Sequence, residues 1–210
     1  EVVDLDGRRY IDMASCGIGA TVLGYADPDV TAAVIQRVQR GSMSTLNPPD
    51  EVELAELLLQ IHPWAQNVRL GRVGGETMAL AVRIARARTG REKIAFCGYH
   101  GWHDWYLAAN LAEEDALDGH LLPGLEPQGV PRGLAGSALP FHYNRIEELR
   151  GIASRHGSEL AAVVMEPMRD QEPEPGFLEE VSSIAREAGA VLVFDEITAA
   201  FRFDTGGIHL

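Results

Sequence analysis

Lysine is almost missing from this sequence: Lys93 is its single instance. A phosphate-binding GxxxxGK[ST] loop needs a lysine directly behind its glycines, and Lys93 lies instead in GREKIAF, so a P-loop nucleotide triphosphatase is strongly disfavoured. Cysteine is nearly as scarce. Cys16 and Cys97 stand far apart and in no metal-ligand spacing, which excludes a disulfide framework and suits a reducing compartment, with the cytoplasm as the expected location. Positive charge is in short supply: 18 basic against 31 acidic side chains give a formal net charge of -13, a surface that repels nucleic acid and anionic membrane. No apolar run approaches membrane-spanning length. The opening EVVDLDGRRYIDM lacks the charged and apolar regions of a secretory signal.

What remains is a chain of 210 residues with 46% apolar content, enough to bury a sizeable core. Val2, Val3 and Leu5, then Asp6-Gly7, then Tyr10, Ile11 and Met13 predict a short hairpin. Asp27-Pro28 predicts a capped helix start, with Val30, Val34 and Val38 at helical spacing up to Gly41. A second helix is expected from about Asp50 to Ile61. A third, in ETMALAVRIARARTGR, carries Met78, Val82 and Ala85 on one face and stops at Gly90. The apolar run IAFC follows. A helix through Leu149, Ile152 and Ala153 stops at Gly157, AAVVM reads as a buried strand, FLEEVSSIAREAG as helix and VLVF as strand. Strands alternating with helices predict an α/β fold with a mainly parallel sheet and flanking helices. The Gly- and Pro-rich stretch from Leu111 to Pro140 shows little periodicity and reads as a long lid or interface loop.

Ligands of such sheets bind beyond the carboxyl ends of the strands. Two strands here run into acids: AAVVM into Glu166-Pro167, and VLVF into Asp195-Glu196. Such acids can simply cap a loop or helix start. A metal-dependent hydrolase would instead use His100, His103 and Asp104 of GYHGWHDWY with Glu166 and Asp195, but the spacing matches no strong metal signature. A third reading begins at Gly74 and Gly75, directly before a helix, where free backbone N–H groups suit a phosphate. Paired glycines before a helix are common in ordinary turns. Together with an aromatic loop after one strand and an Asp after another, they suit a flat, phosphorylated, basic heterocycle such as pyridoxal phosphate, whose ring nitrogen a buried carboxylate keeps protonated.

These residues resemble the class III, fold-type-I pyridoxal-phosphate aminotransferases, including their glutamate-1-semialdehyde aminomutase branch. The resemblance runs through VVDLDGRRYIDM, LGYADPDV, GGETMALAVRIAR, CGYHG, VVMEPM and VFDEITAAFR, in the family's order. It implies transfer of an amino group between a small-molecule amino donor and a carbonyl acceptor, or its migration within one molecule in an aminomutase. It further implies pyridoxal 5'-phosphate as cofactor and a homodimer with sites built from both chains. Gly74 and Gly75 would hold the cofactor phosphate, Tyr99 would cover one ring face with His100 beside it, and Asp195 would bind the ring nitrogen. Ile197, two residues on and so on the same side of an extended strand, would cover the other face. Gln171 would reach the 3-hydroxyl, with Glu166 behind these groups. Plainer roles stand beside these: Tyr99 and Ile197 as core, Gln171 as a solvated loop residue.

The resemblance has departures. Arg72-Val73-Gly74-Gly75 replaces the family's Asn-Ser-Gly-Thr, losing hydroxyl donors but keeping backbone ones. Ile18 stands where many relatives place a tryptophan in the substrate wall. The Schiff-base lysine lies downstream of the Asp-Glu pair in the family, and Lys93 does not match it. The expectation is therefore a piece of a longer enzyme, inactive by itself, with residues 1–48 from the arm and small domain and 49–210 from the cofactor-binding large domain. A cofactor-less scaffold is the reading from a different class.

Overall fold

The computed structural model describes the chain except for residues 15–18, 42–44, 114, 121–122 and 169. Ile18, the expected substrate-wall position, lies outside the described residues. Contacts divide the chain into two compact units, Glu1–Val68 and Arg69–Leu210.

In the first unit, β1 (Val2–Val3) and β2 (Arg9–Tyr10) form the expected antiparallel hairpin. Its turn is organised by Asp4, whose carboxylate accepts from the backbone N–H groups of Asp6 and Arg8 and from the Tyr10 hydroxyl. Helix α1 (Pro28–Gln39) starts as its sequence predicts: the Asp27 side chain accepts from the N–H groups of Asp29 and Val30, and Pro28 occupies the first turn. Helix α2 spans Pro49–Ile61. Neither helix buries a residue, and Val30, Val34, Ile35 and Val38 leave an exposed apolar stripe along α1.

The second unit holds a four-stranded parallel sheet between helices. Its elements are α3 (Gly74–Thr89), β3 (Lys93–Cys97), α4 (Asp104–Leu107), β4 (Ala138–Pro140), α5 (Ile146–His156), β5 (Leu160–Met165), α6 (Phe177–Ala188) and β6 (Val191–Phe194). The strand order is β4-β3-β5-β6, with every pairing parallel. Every residue of β5 is buried, which explains why AAVVM reads as an unbroken apolar run rather than an alternation. Side chains still alternate across the strands. Ile94, Phe96, Ala162 and Val164 pack with Met78, Val82 and Ala85 of α3, while Ala95, Val163 and Met165 pack with Leu149 and Ile152 of α5 and Val181 and Ala185 of α6. The stretch from Leu111 to Pro140 is not all loop, since β4 pairs with β3 at its end. Three residues ending in proline carry no periodicity, and proline is tolerated there because β4 lies at the sheet's edge.

Arg91 ties the amino-terminal end of the sheet together. Its guanidinium donates to the carbonyls of Gly157, Leu160 and Ala188, which bound β5 and the end of α6. At the same end Lys93 reaches Glu159 at 3.1 Å and His156 at 3.0 Å. No described helix is long and apolar enough to cross a membrane.

Candidate active site at the carboxyl ends of the strands

Because the strands are parallel, the residues that leave them gather at one edge. After β3 the chain turns at Gly98, with φ near +106°, then places Tyr99 and His100. β5 delivers Glu166. The ladder runs one residue past β6, where the Asp195 N–H donates to the Met165 carbonyl at 2.7 Å.

Asp195 and His100 form the polar centre. They are 4% and 2% exposed, and His100 Nδ1 lies 2.8 Å from Asp195 Oδ2. His100 Nε2 lies 3.0 Å from the carbonyl oxygen of Cys97. A carbonyl only accepts, so Nε2 carries a hydrogen, and a single further proton occupies the contact between Nδ1 and the carboxylate. The pair is neutral as a unit wherever that proton sits. Trp105 stacks on the imidazole, with ring centroids 5.9 Å apart, and Phe96 meets it edge-on.

Glu166 works behind this pair. Its Oε2 accepts the Tyr99 backbone N–H at 2.9 Å, and its Oε1 accepts the Thr198 hydroxyl at 3.2 Å, so one buried carboxylate joins the turns after β3 and β6. The fit is tight: a Cβ on Gly98 would lie 2.5 Å from Glu166 Oε2. Tyr143 supports the same loop by donating its hydroxyl to the Pro167 carbonyl, and burial pushes that phenol up to about 12.

Tyr99 is half-buried, with its ring edge-on to Tyr106 at 6.0 Å. Ile197 is 52% exposed and does not continue an extended strand. The strand ends at Phe194 and the chain turns, closed by donation from the Ala199 and Ala200 N–H groups to the Glu196 carbonyl. Alternation along a strand is thus the wrong reason for its placement. The turn nevertheless brings Ile197 to the site, its N–H donating to Asp195 Oδ1 at 3.1 Å. Its Cδ1 occupies the space a Cβ on Gly74 would need. Gly75 is packed as closely, against the imidazole of His103 and the backbone of Gly101. Helix α3 begins without a side-chain cap, because Val73 has no acceptor to offer its first amides. The backbone N–H of Arg72 donates to Glu76 Oε2.

The structure therefore gathers Gly74, Ile197, Asp195, His100, Tyr99 and Glu166 into one connected set. Gln171 lies exposed in the loop between β5 and α6, and no hydrogen bond among the described residues joins it to that set. Sequence reading missed Thr198 and Gly98, and it missed His103 as the neighbour of Gly75. Nothing local marks Thr198 or His103, although a glycine directly after a buried strand does hint at a positive φ. Among the described residues no group of three His, Cys, Asp or Glu side chains is placed to hold a metal ion, and both nitrogens of His100 are already engaged.

Comparison with known proteins adds to this geometry. Residues 1–207 match the family model described as aminotransferase class-III. The glutamate-1-semialdehyde 2,1-aminomutase of Syntrophus aciditrophicus is 37% identical over 214 residues, covering 99% of this chain and 48% of that protein. An omega-transaminase from Sphaerobacter thermophilus superimposes with a TM-score of 0.82 at 33% identity, over 98% of this chain and 48% of the other. A solved structure described as a transaminase with PLP bound gives a TM-score of 0.84 at 28% identity, over 98% of this chain and 48% of its own. The chain spans about half the length of the relatives it matches.

Proposed function

This chain belongs to the class III aminotransferases, and from that premise we propose that the protein transfers an amino group between a small-molecule amino donor and a carbonyl acceptor, with pyridoxal 5'-phosphate as its cofactor. One observation carries the reading. The open glycine end of α3 abuts Ile197, whose N–H donates to the buried Asp195 carboxylate, so a phosphate-binding end and an acid for a ring nitrogen are joined through one residue.

The residues fit such a group. The first-turn amides of α3 at Gly74 and Gly75 take the phosphate. Asp195 would accept the ring nitrogen's N–H and keep that nitrogen protonated, with His100 holding the carboxylate in place. Tyr99 and Ile197 would cover the two ring faces and Glu166 sets the backbone of Tyr99, whereas Gln171, exposed and joined to none of them, would have to turn inward to reach the 3-hydroxyl. When bound, the cofactor supplies an electron sink for the proton loss that precedes amine transfer. Lys93 takes no part: it starts β3, while Asp195 follows the end of β6, and parallel strands put those positions at opposite edges of the sheet.

A second reading, migration of the amine within one molecule, uses the same residues and is favoured by the similarity to the Syntrophus aciditrophicus aminomutase. We place residues 49–210 in the cofactor-binding large domain and 1–48 in the N-terminal arm and small domain. The protein is a cytoplasmic homodimer in this reading, and the exposed apolar stripe of α1 suits an interface.

The test is made on the full-length protein: add pyridoxal phosphate, reduce with borohydride, digest and map the modified peptide by mass. Label on one lysine other than Lys93 is expected, together with loss of retained cofactor in Asp195→Asn. No label on any lysine would overturn the reading. Amine donors offered with and without a carbonyl acceptor then separate transfer from migration.

A further inference from the structure

Among the described residues, the long segment before β4 reaches the turn after β3 through His120. The peptide of Gly98, from which Tyr99 and His100 depart, is gripped on both sides: the Tyr106 hydroxyl donates to its carbonyl at 3.0 Å, and its N–H donates to His120 Nδ1 at 3.3 Å. His120 comes from the Gly- and Pro-rich loop yet is only 5% exposed, and its ring packs on Phe96 and lies parallel to His142 at 5.2 Å. Because Nδ1 accepts, the ring hydrogen sits on Nε2, and the imidazole is neutral.

We propose that His120 is a positioning residue for the candidate active site: as a neutral imidazole it pins the Gly98 amide, and so fixes the direction in which Tyr99 and His100 leave β3. The proposal rests on the reading of Tyr99 and His100 as site residues. Protonating Nδ1 would turn an acceptor into a donor facing another N–H, and the turn would have to open. The surroundings resist that charge. Burial first, then His142 and His100, push the His120 imidazole down from 6.5 to about 4, against the opposing pull of Glu148. Glu148 is itself engaged by His142, whose Nδ1 it meets at 3.0 Å. Cys97, Tyr143, Glu166 and Asp170 share with His120 a cavity of about 180 Å³. On its own loop, Asp118 accepts the Gly124 N–H. The ring is therefore neutral at pH 7, and the pin is lost as pH falls toward 4.

Two variants of the full-length protein test this. His120→Phe keeps a flat ring between Phe96 and His142 and removes the acceptor, whereas His120→Asn returns an acceptor without the ring. Hydrogen exchange of the peptide covering residues 97–101 is measured at pH 7, and for the unmodified protein also at pH 4 after correction for intrinsic exchange. Affinity for pyridoxal phosphate is read separately by absorbance. Loss of one hydrogen bond predicts roughly tenfold faster exchange and a similarly weaker affinity in His120→Phe. His120→Asn should recover part of both, and the unmodified protein should exchange faster at pH 4. Exchange in His120→Phe equal to that of the unmodified protein overturns the pin, and so does equal exchange at the two pH values should that variant fail to fold. Faster exchange with unchanged affinity overturns its role in the site. If the unmodified protein binds no pyridoxal phosphate, the functional reading falls, and exchange alone decides whether His120 holds the turn.

Discussion

Gly98→Ala is the substitution whose cost the structure specifies most fully. The residue sits at φ near +106°, a conformation that strains an L side chain by about 1–3 kcal/mol. The new Cβ would lie 2.5 Å from Glu166 Oε2 and 3.1 Å from its Cγ, so the buried carboxylate must move. Moving it breaks the 2.9 Å bond from the Tyr99 N–H, and a hydrogen bond to a charged group is worth about 1.5–3 kcal/mol. The combined loss is roughly 2.5–6 kcal/mol, a large share of the ~5–15 kcal/mol that holds a typical domain together. Urea denaturation at pH 7, followed by far-ultraviolet circular dichroism, should show a lower midpoint with an unchanged slope. Gly133→Ala is the control, because nothing lies within 4 Å of its added Cβ and its φ is not in the strained range; its effect should stay within about 0.5 kcal/mol. A loss no larger than the roughly 1–3 kcal/mol of backbone strain alone would refute the claim that Glu166 is fixed against the turn.

Arg91→Ala should cost about 2–3 kcal/mol in the same assay, because the guanidinium holds three carbonyls at the amino-terminal end of the sheet. All three bonds leave the single nitrogen Nη1, and an ammonium also carries three donors on one nitrogen, so Arg91→Lys should recover about half of the loss or more, and no recovery would contradict it. The Asp4 carboxyl is held below its ordinary 3.8, chiefly by the Arg8 backbone N–H. A carboxyl lowered in the folded state contributes stability above 3.8 that is lost as pH falls through the lower folded value. Protection of the amides in residues 2–10, after correction for intrinsic exchange, should therefore fall in acid, and in Asp4→Ala at every pH; a variant as protected as the parent would discount the turn. Lys93→Ala should cost under about 1 kcal/mol and leave cofactor retention unchanged, as expected for a partly exposed ion pair at the far edge of the sheet.

Much of the second unit was readable in the sequence because its elements are long or strongly apolar. Met78, Val82 and Ala85 share a face at helical spacing and are the residues α3 buries, and AAVVM and VLVF are strands because a parallel sheet covered on both faces demands continuous apolar runs. Strand β4 escaped notice, being three residues long with a proline at its end and held in place by β3 rather than by its own pattern. The strand-end acids were visible as well, but their partners were not. His100 and Asp195 are 95 residues apart and meet through strand order, which no spacing encodes. Glu166 reaches across 67 residues to Tyr99 and 32 to Thr198 for the same reason. His120 carries no signal at all in a Gly- and Pro-rich loop, because its role depends on where that loop folds back.

Glu166 and Asp195 divide the work by how their oxygens are used. Glu166 faces inward, with Oε2 on the Tyr99 amide and Oε1 on the Thr198 hydroxyl, so its charge goes into holding two turns. Asp195 is equally buried, and a lone carboxylate there would be costly without a partner. His100 removes that cost, because the Cys97 carbonyl fixes a hydrogen on Nε2 and the remaining proton lies between the ring and Asp195. Each of the Asp195 oxygens meets one partner, the Ile197 N–H at Oδ1 and the shared proton of His100 Nδ1 at Oδ2, which leaves a lone pair on Oδ1 for a further N–H. In the proposed function a ring N–H placed beside Asp195 would meet an acceptor already buried and oriented by Ile197 and His100, the kind of preorganisation on which electrostatic stabilisation of a charged ring depends.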